Sequence, residues 1–140
     1  MKDWDINTIV LGYDGSEGAD KALRLASTVA RKTNARIVVV SVFDKLHTAD
    51  AEGARESRMI GGAQDTAQEA VLKLQAAGID AEPDAAEGPA GDALLRAAEA
   101  RDADLVVVGR RGHGLIAGLL LGSTSEYVVR QAKVPVLVAE

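Results

Sequence analysis

Leu105-Val106-Val107-Val108-Gly109-Arg110-Arg111-Gly112, followed after nine residues by Gly122-Ser123-Thr124-Ser125, is the stretch on which the reading of this chain turns. An apolar run empties into a glycine-bearing loop, and a helical pattern begins where the loop ends. That is the geometry that holds phosphate. Glycines let backbone N–H groups approach an anion, and the first amides of a helix are unpaired donors with partial positive charge. Strand-to-helix loops usually take about 2–6 residues. This one takes about 13 and holds glycines at 109, 112, 114, 118 and 122.

Outward from this segment, strands and helices alternate. Ile6 to Leu11 reads as a buried strand ending in the turn Gly12-Tyr13-Asp14-Gly15-Ser16. Leu23, Ala26, Val29 and Ala30 recur at helical spacing, so the next helix runs from Ser16 to Lys32, capped by Ser16 or Asp14. Arg36 to Phe43 is a second strand, apolar enough to be buried on both faces. From Asp44 to about Ser57 the pattern dissolves into charged and small residues and reads as a surface loop or lid. Gly61-Gly62 precede a helix whose face, Ala63, Ala67, Ala70, Val71 and Leu74, continues to Ala77, with Gly78 as its stop. Ile79 to Ala86 contains Pro83, which suits an edge strand. A helix opening at Gly88-Pro89-Ala90-Gly91-Asp92, a strand from Ala103 to Val108, a helix from Thr124 to Lys133 and a strand from Val134 to Ala139 complete the chain. Such alternation is the signature of a parallel α/β sheet with right-handed crossovers, here as one domain over residues 1–140.

Composition removes several function classes. Sixteen basic against 21 acidic side chains give a net charge of −5, and aromatics make up 3%. A nucleic-acid surface needs positive charge or stacking platforms, so no nucleic-acid partner is expected. No cysteine is present, which excludes disulfides and thiolate chemistry. No run approaches the roughly 20 apolar residues of a membrane helix, so no membrane partner is expected. The start, Met1-Lys2-Asp3-Trp4-Asp5, lacks the apolar core of a signal peptide, and the expected location is the cytoplasm.

Known phosphate signatures do not fit. The P-loop pattern is absent. Gly112-His113-Gly114 with Gly118 imitates a dinucleotide fingerprint one residue too long, and no Gly-x-Ser-x-Gly elbow occurs. Against ligand binding stands a capping box, in which Ser123 and Glu126 satisfy the helix amides themselves. Asp14, at the carboxyl end of the first strand, sits where open parallel sheets place ligands. It reads either as a ligand contact or as an Asx-turn with Ser16. Arg110 and Arg111 have the chemistry to pair with phosphate. His113 and His47 receive no role, Tyr13 reads as packing, and neither a catalytic group nor a metal-ligand cluster emerges.

The chain resembles the universal stress protein family over nearly its whole length. The matching pieces are Ile9-Val10-Leu11-Gly12-Tyr13-Asp14-Gly15-Ser16, Val40-Ser41-Val42, Ala103 to Gly109 and Val134-Pro135-Val136-Leu137-Val138. Most specific is the family's ATP-binding signature, met here by Gly109, Gly112, Gly122 and Ser123 at the required spacing. The resemblance implies a five-stranded parallel sheet in the order 3-2-1-4-5 with helices on both faces, of the adenine nucleotide α-hydrolase-like kind. It implies that Gly12, Asp14 and Val42 flank adenine and ribose, that Gly109 lies beneath the ribose, and that Gly112, Gly122, Ser123 and Thr124 hold phosphates; Val108 and Arg110, beside Gly109, are expected among the nucleotide-binding residues too. A β-branched residue at 122 is expected to fill the phosphate space and to resist a positive φ. The implied ligand is ATP, with Mg2+, or alternatively AMP or cyclic AMP, and the implied partner is a second copy paired through Pro135, Val136, Leu137 and Val138. A regulatory binder with at most slow hydrolysis, an adenylate-transfer enzyme and a scaffold that binds no nucleotide all remain open at this point.

Overall fold

Three apolar runs make the middle of the sheet. The computed structural model describes residues 4–44, 52–110 and 121–140, with the backbone alone over 52–57. The elements in chain order are β1 (Thr8–Gly12), α1 (Glu17–Thr33), β2 (Arg36–Phe43), α2 (Glu52–Ala76), β3 (Ala81–Glu87), α3 (Ala90–Ala100), β4 (Leu105–Gly109), α4 (Ser123–Gln131) and β5 (Val136–Ala139). All strand pairs are parallel, in the order β3-β2-β1-β4-β5.

Period-2 alternation sorts each run between two cores. Ile9, Leu11, Ile37, Val39, Leu105 and Val107 face α1 and α2, meeting Ala22, Ala26, Val71 and Leu74. Val10, Val38, Val40, Val106 and Val108 face the other way, onto Leu94, Ala97 and Val128 of α3 and α4. The chain walks outward from β1 to β3, then crosses back to β4 and walks out to β5. With every crossover right-handed, that reversal puts the two helix pairs on opposite faces. It also leaves a topological switch point between β1 and β4, where open α/β sheets bind ligands beyond the strand ends.

Asp104, just before β4, extends the ladder with its side chain. Its Oδ2 accepts from the backbone N–H of Asn7 at 2.9 Å and of Thr8 at 3.1 Å, while its own N–H donates to the Thr8 carbonyl at 2.8 Å. Asp104→Ala strands two amides at the start of the central strand pair. Bonds to charged groups are worth about 1.5–3 kcal/mol when shielded, and part of this site is exposed. The expected loss is about 2 kcal/mol, read from the urea midpoint at constant m-value.

Three expectations are corrected. The segment read as a loop or lid over 44–57 is helical from Glu52, and residues 45–51 lie outside the described residues. Glu52-Gly53-Ala54-Arg55-Glu56 carries no apolar period, and helix formers such as Ala, Glu and Arg extend the helix by propensity instead. β5 begins at Val136 rather than Val134, and α4 ends at Gln131 rather than Lys133, because Pro135 closes that junction. Within α2, Gly61 and Gly62 have nothing within 4 Å of where a β-carbon would stand. Alanine at both should therefore stabilise by about 2 kcal/mol, raising Tm by roughly 5 °C in a thermal melt.

The two sheet edges differ. Along β3, Glu82 pairs with Arg36 at 3.6 Å and with Arg101, and Arg101 lies 3.7 Å from Asp84. Charges and Pro83 on an edge oppose further strand pairing. Along β5 the residues are Val136-Leu137-Val138, with Leu137 exposed.

Candidate functional site

A crevice opens over the carboxyl ends of β1, β2 and β4. Gly12, Val40, Leu94 and Val108 make an apolar floor, Tyr13, Val42 and Gly109 line its sides, and Asp14, Asp44 and Thr124 stand at its mouth. The sequence-predicted residues Gly12, Asp14, Val42, Val108, Gly109 and Thr124 are thus brought together. Arg110 is not among the lining residues; its Nη1 lies 3.0 Å from Glu140 Oε1, beyond the end of β5. Gly112, Arg111 and His113 lie outside the described residues, as does His47.

Among the described residues three helices start around the crevice, and two of them, α3 after Pro89 with Ala90 in the lining and α4 after Gly122, carry no side-chain cap. α1 is capped by Ser16, whose Oγ accepts from the Ala19 N–H at 3.1 Å. α4 starts after Gly122 with no side-chain cap, so the expected Ser123–Glu126 capping box is corrected: Ser123 is already the first helical residue. The reason is backbone geometry, since Gly122 occupies the capping position and has no side chain to accept with. Its φ of −73° and ψ of 167° are extended, so the steric argument at this position rests on the phosphate space and not on backbone strain. Glu126 instead pairs with Arg130 at 2.9 Å. With no side-chain cap among the described residues and Thr124 in the crevice lining, this N-terminus offers backbone donors and a favourable dipole to an anion.

The two ends of the glycine loop are tied together. The Gly122 N–H donates to the Arg110 carbonyl at 2.8 Å, and the Ser125 Oγ lies 2.8 Å from the same oxygen and 3.1 Å from the Gly122 carbonyl. The Arg110 N–H in turn donates to the Ala139 carbonyl at 2.8 Å, which continues the β4–β5 ladder. Ser125, only 2% exposed, was not a sequence candidate, and its role depends on a carbonyl 15 positions away.

Asp14 makes the turn contact expected of it and lies at the crevice. Its Oδ1 accepts from the Ser16 N–H at 2.9 Å, forming the Asx-turn, and the residue still lines the crevice. The backbone before it is held from the neighbouring strand: the Tyr13 N–H donates to the Val40 carbonyl at 3.0 Å, and Ser41 Oγ donates to the Tyr13 carbonyl at 2.7 Å. Ser41 is 2% exposed, and a hydroxyl inside an apolar strand needs such a partner. That isolated serine in Val38-Val39-Val40-Ser41-Val42 was the available signal. The Tyr13 phenol donates to Asp20 Oδ1 at 2.8 Å; burial first, then the Asp20 carboxylate, push it well above the ordinary tyrosine range. Tyr13 is a neutral strut, in line with its reading as packing. Asp44, at the end of β2, is a lining residue that the sequence reasoning missed.

Comparison with known proteins gives a consistent result. The model of the Universal stress protein family matches residues 5–140. A universal stress protein of Thermus aquaticus is 36% identical over 132 residues, covering 93% of this chain and 96% of that protein. A solved universal stress protein in complex with cAMP is 32% identical, covering 96% of this chain and 97% of that one, with a TM-score of 0.76. A family protein from Arabidopsis thaliana with AMP bound shares the fold at a TM-score of 0.71 and 16% identity, covering 95% of this chain and 90% of that one. Among the described residues no helix is long and apolar enough to cross a membrane.

Proposed function

We propose that this chain, which belongs to the universal stress protein family, binds an adenine nucleotide in the crevice over β1, β2 and β4 and uses it to set its conformation or choice of partner. The observation that carries this reading is the uncapped start of α4 facing an apolar crevice with carboxylates at its mouth. Phosphate suits the helix start, and a base suits the apolar lining of Val40, Val42 and Leu94. The solved relative in complex with cAMP supports an adenine nucleotide as the ligand class. The complete pattern Gly109, Gly112, Gly122, Ser123 favours ATP within that class, with Thr124 near its phosphates. Among the described residues no group of three or more metal-ligating side chains occurs, so Mg2+ in this reading arrives on the triphosphate.

The described lining offers Asp14, Asp44 and Tyr13 as its acid–base side chains, and Tyr13 is engaged by Asp20. That supports binding with at most slow hydrolysis. The contrast between the charged β3 edge and the apolar β5 edge supports a homodimer joined along Pro135, Val136, Leu137 and Val138. The test is to release small molecules from freshly purified protein by heat, identify them, and titrate the emptied protein with ATP and magnesium. Adenine nucleotide in the extract or micromolar binding is expected. Neither, up to millimolar ATP, ends the reading. A cyclic or simple monophosphate as the true ligand is the second reading, favoured by the cAMP complex, and would appear as AMP or cAMP in the extract.

A further inference from the structure

We propose that Asp44 selects the base, accepting from a 6-amino purine and rejecting a 6-oxo purine; the inference rests on the nucleotide reading above. The strand order lays out the crevice as a ruler. Thr124 and Gly109 mark the phosphate end over β4, Asp14 stands at the end of β1, and Val42 and Asp44 lie furthest off at the end of β2. Strands in a sheet stand about 4.8 Å apart, so β4 and β2 are separated by roughly 10 Å. That is about the reach of a nucleotide from phosphate, across ribose, to the far edge of its base. The apolar floor then carries the base, and the first polar group beyond it is the Asp44 carboxylate.

A carboxylate only accepts hydrogen bonds at neutral pH. Adenine presents an N6 amino donor on its outer edge, whereas guanine presents the O6 acceptor there, as hypoxanthine does. Against the first, Asp44 makes a charge-assisted bond; against the second, approached from the N7 side and so away from the N1–H of a 6-oxo purine, two sets of lone pairs face each other. Asp44 forms no hydrogen bond or ion pair with another described residue, so no competing contact must be broken. Its position is set by Gly88, across the β2–β3 pairing. A β-carbon at residue 88 would lie 2.5 Å from Asp44 Oδ1 and 3.1 Å from Val42 Cγ1. The bare glycine is what lets the carboxylate rest beside Val42 at the mouth.

The experiment is calorimetric titration of the full chain with AMP and with inosine 5′-monophosphate, which differ at the 6-position. The parent protein is expected to prefer AMP by about tenfold or more. Asp44→Asn, whose amide can donate to a 6-oxo group as well as accept, should shrink that preference severalfold. Asp44 is exposed, so this variant folds as the parent does. Gly88→Ala retains the carboxylate but displaces it, and should shift the ratio in the same direction. A parent that binds AMP without preference overturns the proposal. So does an Asp44→Asn variant whose AMP-to-inosinate ratio is unchanged, including one that loses both ligands equally. If the parent binds neither nucleotide at millimolar concentration, the nucleotide reading falls and the base assignment falls with it.

Discussion

Gly109→Ala is expected to unfold roughly 10 °C below the parent protein, with or without nucleotide, a loss of about 3 kcal/mol. A β-carbon at residue 109 would stand 2.6 Å from the Gly18 carbonyl oxygen, 2.7 Å from its carbon and 3.2 Å from the Ala19 nitrogen. These are backbone atoms in the first turn of α1. A side chain could rotate away from such a contact, but a helix must lift off the sheet. Lifting α1 would loosen Ala19, Ala22 and Ala26 from the core they share with Leu105 and Val107. Overpacking normally costs about 1–3 kcal/mol, and collision with fixed main chain places this site at the top of that range. Differential scanning calorimetry decides the matter, and an unchanged Tm would mean that α1 does not lie this close. The first glycine of the phosphate pattern thus has a packing duty of its own, like the glycine that lets a helix approach a strand in dinucleotide folds.

Gly122→Val should behave in the opposite way. Its extended backbone suits valine, so the fold should survive to within about 1 kcal/mol, roughly the cost of a poor N-cap. The branched side chain would instead stand at the start of α4, beside the first backbone amides of the helix. Removing one or two charge-assisted bonds of about 1.5–3 kcal/mol each lowers ATP affinity by about a hundredfold. AMP, with fewer oxygens to place, should lose less. Calorimetric titration beside a thermal melt reads both quantities. Parental ATP affinity in a folded variant would remove phosphate binding from this helix start. The two glycines therefore separate cleanly: one variant melts early, and the other melts normally but binds poorly.

Much of this was visible in the residues. Val-rich runs mark β1, β2 and β4 because central parallel strands are buried on both faces and cannot alternate. The strand order does not follow from periodicity; it came with the family resemblance, and the pairings agree with it. The first turns of α2 were missed because Glu52 to Glu56 show no apolar repeat, and Gly61-Gly62 mimic a boundary. At the site, Asp14 and Gly109 were legible from a strand end and from glycine spacing, whereas Val42 and Thr124 came with the family resemblance. Ser41 and Ser125 were not legible, since their partners lie 28 and 15 positions away. Asp104 reaches 97 positions back to Asn7, a contact that exists only once β1 and β4 are neighbours. Asp44 was masked by its surroundings, appearing as the first residue of a featureless stretch.

The knot of bonds joining Arg110, Gly122 and Ser125 has an engineering consequence. Because the chain departs and returns at one fixed neck, whatever is spliced between the two ends is closed by the framework itself. Doubling the length of such an insert adds only about 0.6 kcal/mol of closure entropy. Cassettes of foreign sequence can therefore be exchanged there while the five strands beneath them keep their register.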